Sequence, residues 1–283
     1  MKRIFFIGLM AVMLALTACG KQDAQVSGGH GAHEEKHNEE HNEGQNGEQA
    51  GEETSKTKAI WTWSSETPQS NEELTITTRI QTLDGKAVEQ FDINHEKKLH
   101  LILVSKDLSY FDHLHPEYKG KGEFEVKTKF PAGGEYKLIA DYNPTGDTAT
   151  TQSEWIKVSG SSGEEAPIRP SEAHSVVVDG VEVTLENDHP QAGEEFELDF
   201  KLTDASNKQP ITDLEPYLGA VGHVVILSED TERYLHVHPM DEKASGPDAK
   251  FMTTFPQAGI YKIWGQFQRN GKTFVSAFVV EVE

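Results

Sequence analysis

The chain has 283 residues and a formal net charge of −21, with 47 acidic side chains against 26 basic ones. That balance excludes nucleic acid as a partner, because holding a phosphate backbone takes the opposite sign. It also means that contact with an anionic bilayer must come from something other than side-chain charge. Cys19 is the only cysteine, so the folded part holds no disulfide, no thiolate metal site and no cysteine nucleophile, and its stability must come from burial.

Lys2 and Arg3 lead an apolar run over residues 4–16, and small residues follow before Cys19. A helix needs about 20 apolar residues to cross a hydrocarbon core, so the run reads instead as a signal peptide over residues 1–18. Leu16-Thr17-Ala18-Cys19 resembles the lipobox of bacterial lipoproteins. The resemblance implies cleavage before Cys19, a diacylglycerol on its thiol, and a cell-membrane protein held by lipid on the extracytoplasmic face.

Residues 19–58 are rich in Gly, Glu, Asn, Gln and His, with Val26 as the one large apolar side chain. Such a segment cannot bury enough surface to fold and reads as a disordered tether. His30, His33, His37 and His41 lie within it at helical spacing, but Gly31, Asn38 and Asn42 oppose a stable helix. They are expected to bind divalent metal weakly, as His-rich tracts can.

Beyond the tether, apolar and polar residues alternate, as in Leu74-Thr-Ile76-Thr-Thr78-Arg-Ile80 and Phe196-Glu-Leu198-Asp-Phe200-Lys-Leu202. Period two predicts strands with one buried face. Further strands are expected over residues 59–63, 99–105, 110–115, 123–130, 136–142 and 153–158, and no 3.6-residue period is sustained anywhere in the mature chain.

The chain then repeats itself. His100-Leu-Ile-Leu-Val-Ser105 matches His223-Val-Val-Ile-Leu-Ser228, and His113-Leu-His115-Pro116 matches His236-Val-His238-Pro239, both at an offset of 123. Phe130-Pro131 through Tyr136 matches Phe255-Pro256 through Tyr261 at an offset of 125, which places an insertion near residues 245–248. A period this long means a duplicated domain rather than a solenoid unit. The organisation is therefore all-β: a first domain over residues 59–159, a Gly/Ser/Pro linker over 160–172 and a second domain over 173–283. Each is the size of an antiparallel sandwich of immunoglobulin-like type, with a small barrel as the alternative.

In each half the first histidine opens an apolar strand and a short turn leads into the second, which is a β-hairpin. A loop of two or four residues pairs Ile102 with His113 and Val225 with His236, so that His100, His113 and His115 share one face, as do His223, His236 and His238. Three imidazoles on a surface hairpin suit one metal ion per domain, with copper first and zinc second, since the donors are nitrogen and no thiolate is present. The other reading makes these histidines structural and the protein an envelope adhesion or assembly module. No serine nucleophile motif, phosphate loop or spaced acid/base pair points to an enzyme.

The segments 99–116 and 130–136, with His223, His236, His238, Pro239, Phe255, Pro256, Gly259 and Tyr261 in the second half, resemble the YtkA-like (FixH/YtkA-like) domains of bacterial envelope proteins. That resemblance implies small immunoglobulin-like sandwiches near copper or heavy-metal handling systems. The expected partners are the membrane through the lipid, metal ions, and an envelope metal-transport or assembly protein.

Overall fold

In a computed structural model, the residues described are 55–162, 167–187 and 189–283. Cys19 and the histidines at 30, 33, 37 and 41 lie outside them. Among the described residues every regular element is a strand, and no helix is long and apolar enough to cross a membrane.

The first repeat contains β1 (Thr57–Trp63), β2 (Glu73–Thr82), β3 (Leu99–Ser105), β4 (Phe111–Leu114), β5 (Glu117–Gly120), β6 (Glu123–Lys129), β7 (Gly134–Tyr142) and β8 (Thr150–Val158). The second contains β9 (Ser175–Val178), β10 (Val181–Leu185), β11 (Glu195–Asp204), β12 (His223–Ser228), β13 (Tyr234–Val237), β14 (Asp248–Thr254), β15 (Gly259–Arg269) and β16 (Lys272–Val282). Each makes two four-stranded antiparallel sheets, β1-β2-β6-β5 with β4-β3-β7-β8, and β14-β11-β10-β9 with β13-β12-β15-β16. These are two tandem β-sandwiches, each closing on its own apolar core. Leu74, Ile76, Leu101, Phe124, Phe130 and Leu138 belong to the first, and Leu198, Phe200, Phe251, Phe255, Ile263 and Phe278 to the second.

The repeats diverge at both edges of one sheet. β5 has no strand counterpart in the second sandwich, where Pro239 makes only an isolated bridge to Phe251 before the inserted segment. The second sandwich has β9 at the opposite edge, paired with β10.

The sheets β4-β3-β7-β8 and β13-β12-β15-β16 face each other between the sandwiches. A third apolar cluster there joins Ile102, Val104, Leu108 and Ile139 to Val225, Leu227 and Trp264. Strand alternation explains it: Leu99, Leu101 and Leu103 point into the first sandwich's own core, so the residues between them, His100, Ile102 and Val104, point across to the partner repeat. Phe111 stacks on Trp264 at 4.8 Å between ring centres. The Lys137 ammonium donates to the Thr231 carbonyl at 2.8 Å, and at the matching position Lys262 donates to the Leu108 carbonyl at 2.7 Å. Both lysines thus cap left-handed turn residues of the opposite repeat, whose φ angles are 63° at Thr231 and 55° at Leu108.

Candidate metal centre

The hairpins pair in the register set by their sequences, Ile102 opposite His113 and Val225 opposite His236. The expectation of separate sites on surface hairpins is not met. His100 is 1% exposed, His113 6%, His223 0% and His236 8%, because both hairpins contribute to the face between the sandwiches. The two histidine sets meet there in one cluster. Ring centres lie 5.1 Å apart for His100 and His113, 5.1 Å for His100 and His236, and 5.8 Å for both His113–His236 and His223–His236. His115 adjoins His113 at 4.6 Å and His100 at 5.2 Å, and His238 adjoins His236 at 5.2 Å.

Two imidazoles on one ion, with metal–nitrogen bonds of about 2.0–2.1 Å, have ring centres about 4.5–5.5 Å apart at ordinary coordination angles. His100 keeps that spacing to both His113 and His236, the His113–His236 pair is slightly wider at 5.8 Å, and each of the three offers a nitrogen within 4.8 Å of the others'. The triad takes two histidines from one sandwich and the third from the other.

Hydrogen bonds on the far side of the His100, His223 and His236 rings fix which nitrogen of each faces the cluster. His100 Nε2 lies 3.0 Å from the Asn94 carbonyl, and His223 Nε2 lies 3.0 Å from the Tyr217 carbonyl. A carbonyl only accepts, so both Nε2 atoms carry protons and both Nδ1 atoms are bare. His113 Nδ1 lies 2.7 Å from Gln266 Oε1, and His236 Nδ1 lies 2.9 Å from Asp141 Oδ2; a carboxylate only accepts, so His236 Nδ1 carries the proton and its Nε2 is bare. Asp141 sits beside His100 in the β3–β7 ladder, and Gln266 sits beside His223 in the β12–β15 ladder. Each repeat therefore orients the other's histidine from an equivalent position. Gly222 permits the close run of β12 on β15, since a Cβ there would stand 2.6 Å from the Gln266 carbonyl oxygen.

The consequence is a set of inward-facing lone pairs. His115 Nε2, His223 Nδ1, His236 Nε2 and His238 Nε2 are buried without a hydrogen-bond partner, whereas His100 Nδ1 and His113 Nε2 are hydrogen-bonded to each other at 2.9 Å. Burying a polar atom without a partner costs about 1–3 kcal/mol. Protonation does not relieve it: burial first, then the neighbouring imidazoles' charge, pushes His100 and His113 down to about 4 and His115 to about 3, and holds His223 and His236 well below the ordinary value. Neutral imidazoles with an outer N–H bonded to a carbonyl or carboxylate are the form in which histidine ligates metal.

The sequence reading missed His95. It stands in a two-residue turn closed by Asn94 and Lys97, with His95 and Glu96 both at positive φ, and its ring lies 4.6 Å from His223 and 4.0 Å from His238 of the other repeat. Asp141 and Gln266 were missed as well; their places opposite the strand-opening histidines are the signal that could have found them.

The sequence pattern that defines DUF8832, a domain of unknown function, is met twice, over residues 54–160 and 175–283. The chain belongs to the DUF8832 family. No curated protein matches it. Among solved structures, the DUF8832 pair is similar to FdeC, a broadly conserved Escherichia coli adhesin, at 18% identity and a TM-score of 0.27, over 81% of this chain and 65% of that one. It is also similar to invasin, a bacterial integrin-binding protein, at 10% identity and a TM-score of 0.25, over 79% of this chain and 39% of that one. A two-domain fibronectin type III segment of chicken tenascin matches at 13% identity and a TM-score of 0.23, over 80% and 98%. The chain spans less than two-thirds of FdeC and invasin, and the likeness is one of β-sandwich construction.

Proposed function

We propose that this DUF8832 pair is a non-catalytic metal-binding module that holds a transition-metal ion between its two sandwiches, copper first and zinc second. The observation that carries the reading is the convergence of buried imidazole nitrogens from both sandwiches, four of them without a partner, with His100, His113, His223 and His236 each held from behind by a carbonyl, amide or carboxylate. Nitrogen donors without thiolate suit Cu(II) and Zn(II), and the Irving–Williams order puts Cu(II) above Zn(II). The lipobox at Cys19 and the motif resemblance to YtkA-like domains support placing the module outside the cytoplasmic membrane on a lipid anchor, where it would pass metal to or from an envelope protein.

The test is metal analysis of the full chain purified without an affinity tag, in the parent and in a His100→Ala/His113→Ala/His236→Ala variant. The parent is expected to retain tightly bound copper or zinc after dialysis, and the variant to lose it. A parent that dialyses free of both metals while remaining folded contradicts the reading.

A second reading has its own observation, the pair of cross-repeat bonds His113–Gln266 and His236–Asp141. If the Gln266 amide is turned over, its NH2 donates to His113 Nδ1, and His113 Nε2–H can then donate to His100 Nδ1. The histidines would then be polar joints in the assembly of an adhesion or scaffold module. In that case the triple variant would lose stability without any difference in metal content.

A further inference from the structure

Four histidines of the cluster are pinned from behind, His100 and His223 by the Asn94 and Tyr217 carbonyls and His113 and His236 by Gln266 and Asp141. All four are buried, so an ion arriving from solvent meets none of them first. His115 is different. It follows the last residue of β4, an edge strand, and is half-buried. Its Nε2 is buried without a hydrogen-bond partner, and its ring lies against two members of the triad, His113 at 4.6 Å and His100 at 5.2 Å. The nitrogens that converge within 4.8 Å are those of His100, His113 and His236, so His115 stands beside the holding set and not in it. We infer that His115 is the port of the metal centre: it takes a hydrated divalent ion from solvent, hands it to His100 and His113, and lets go once His236 completes the site.

A transition-metal ion does not enter a buried site bare, because losing its whole water shell in one step is prohibitive. Exchanging one water at a time for an imidazole nitrogen avoids that cost, and it needs a neutral imidazole between solvent and the interior. Burial first, then the charges of His100 and Lys97, push His115 down to about 3 and keep it neutral. The matching place in the second repeat is obstructed. Among the described residues, His238 lies against one triad ring, His236 at 5.2 Å, and His95 of the first repeat packs on it at 4.0 Å. The rings in contact with His115 are those of His100 and His113 alone. The asymmetry comes from two equivalent turns, one closed by Asn94 and Lys97 and the other by Tyr217 and Ala220. The first carries His95 at φ 42° and the second carries Leu218 at φ 53°, so an imidazole covers the second repeat's histidines and none covers the first's. The structure thus leaves one way in, on the side of the repeat that supplies two of the three ligands.

The inference rests on the metal reading, and its test separates the two. In a full chain with His30, His33, His37 and His41 replaced by Asn, Cu(II) uptake is followed by stopped-flow quenching of tryptophan fluorescence and release by transfer to excess EDTA. Parent, His115→Asn and His238→Asn are compared. Replacing His115 breaks no hydrogen bond of its Nε2, so the variant is compatible with the fold. A port speeds entry and exit alike. His115→Asn is therefore expected to slow both uptake and release by about 10-fold or more, within the roughly one to three decades over which mutation moves association rates, with their ratio preserved. Uptake by His115→Asn at the parent's rate overturns the port and leaves the metal reading, as does a slowing found in His238→Asn and not in His115→Asn. Faster release with unchanged uptake in His115→Asn would make His115 a ligand and also overturns the port. A parent that takes up no Cu(II) removes both readings.

Discussion

Trp264 reports on whether the metal cluster depends on the packing between the sandwiches. It is 3% exposed, pairs with Val225 in the β12–β15 ladder, and stacks on Phe111 of the other repeat with the ring planes at 14°. Its side chain belongs to the apolar cluster between the repeats rather than to the core of its own sandwich. Trp264→Ala should cost about 3–5 kcal/mol as a buried Trp-to-Ala change, of which the aromatic stack supplies about 0.5–1.5 kcal/mol. For a folded part of this size that lowers the thermal midpoint by about 6–20 °C. Because His236 reaches His100 and His113 only across this face, metal affinity should fall as well, by about 10-fold or more. Thermal melts in chelator, followed by Cu(II) competition titration at 25 °C, measure both. A lowered midpoint with unchanged affinity would refute the claim that the cluster is assembled by the interface, and an unchanged midpoint would refute the packing account itself.

The metal-free protein should be acid-sensitive. Unfolded histidines take up protons near a pKa of about 6.5, whereas folded His100 and His113 do so only near about 4. The unfolded state therefore binds more protons in between, and stability is full above about pH 6.5 and falls toward pH 4. By pH 5 each of these two histidines contributes a loss of about 2 kcal/mol. Asp141 opposes this, since burial raises its carboxyl, and Glu242 and Lys97 act weakly on His95 and His115 in opposite directions. Urea melts at pH 7.5 and pH 5 in chelator check it, and equal stability at both would contradict it. Asp141→Asn should lower metal affinity about 10- to 100-fold by removing the carboxylate behind His236, while Gln266→Glu, which gives His113 the same carboxylate partner, should raise it. Competition titration reads both, and a fall in affinity with Gln266→Glu would favour the hydrogen-bonded joint over the ligand.

Much of the sandwich architecture was legible because period-two alternation marks one buried face per strand, and the duplicated motifs marked two copies. The hairpin register was also legible, since the turn length fixes it. What escaped was the second use of that face. His100-Leu-Ile-Leu-Val and His223-Val-Val-Ile-Leu are unbroken apolar runs, and a strand reads that way when both faces are buried; Ile102, Val104, Val225 and Leu227 had no reason to be apolar on a solvent-facing hairpin. Taken seriously, those four residues predict a covered face, and with it the meeting of the histidines. The position of His95 was not legible, because a contact from a turn to the opposite repeat depends on how the sandwiches dock. Asp141 and Gln266 likewise acquire meaning only once β3–β7 and β12–β15 are paired and facing.

The central claim is that the inward imidazole nitrogens are metal ligands. Two-bond 1H–15N correlation spectra of the full chain, recorded with and without Zn(II), observe those nitrogens individually. The account predicts that in the metal-free protein His100 Nε2, His113 Nδ1 and His236 Nδ1 carry the protons, and that on adding Zn(II) the shifts of His100 Nδ1, His113 Nε2 and His236 Nε2 move to metal-bound values while those tautomers persist. Spectra in which the cluster's nitrogens do not change with Zn(II), with His113 protonated at Nε2 and hydrogen-bonded to His100, would contradict it.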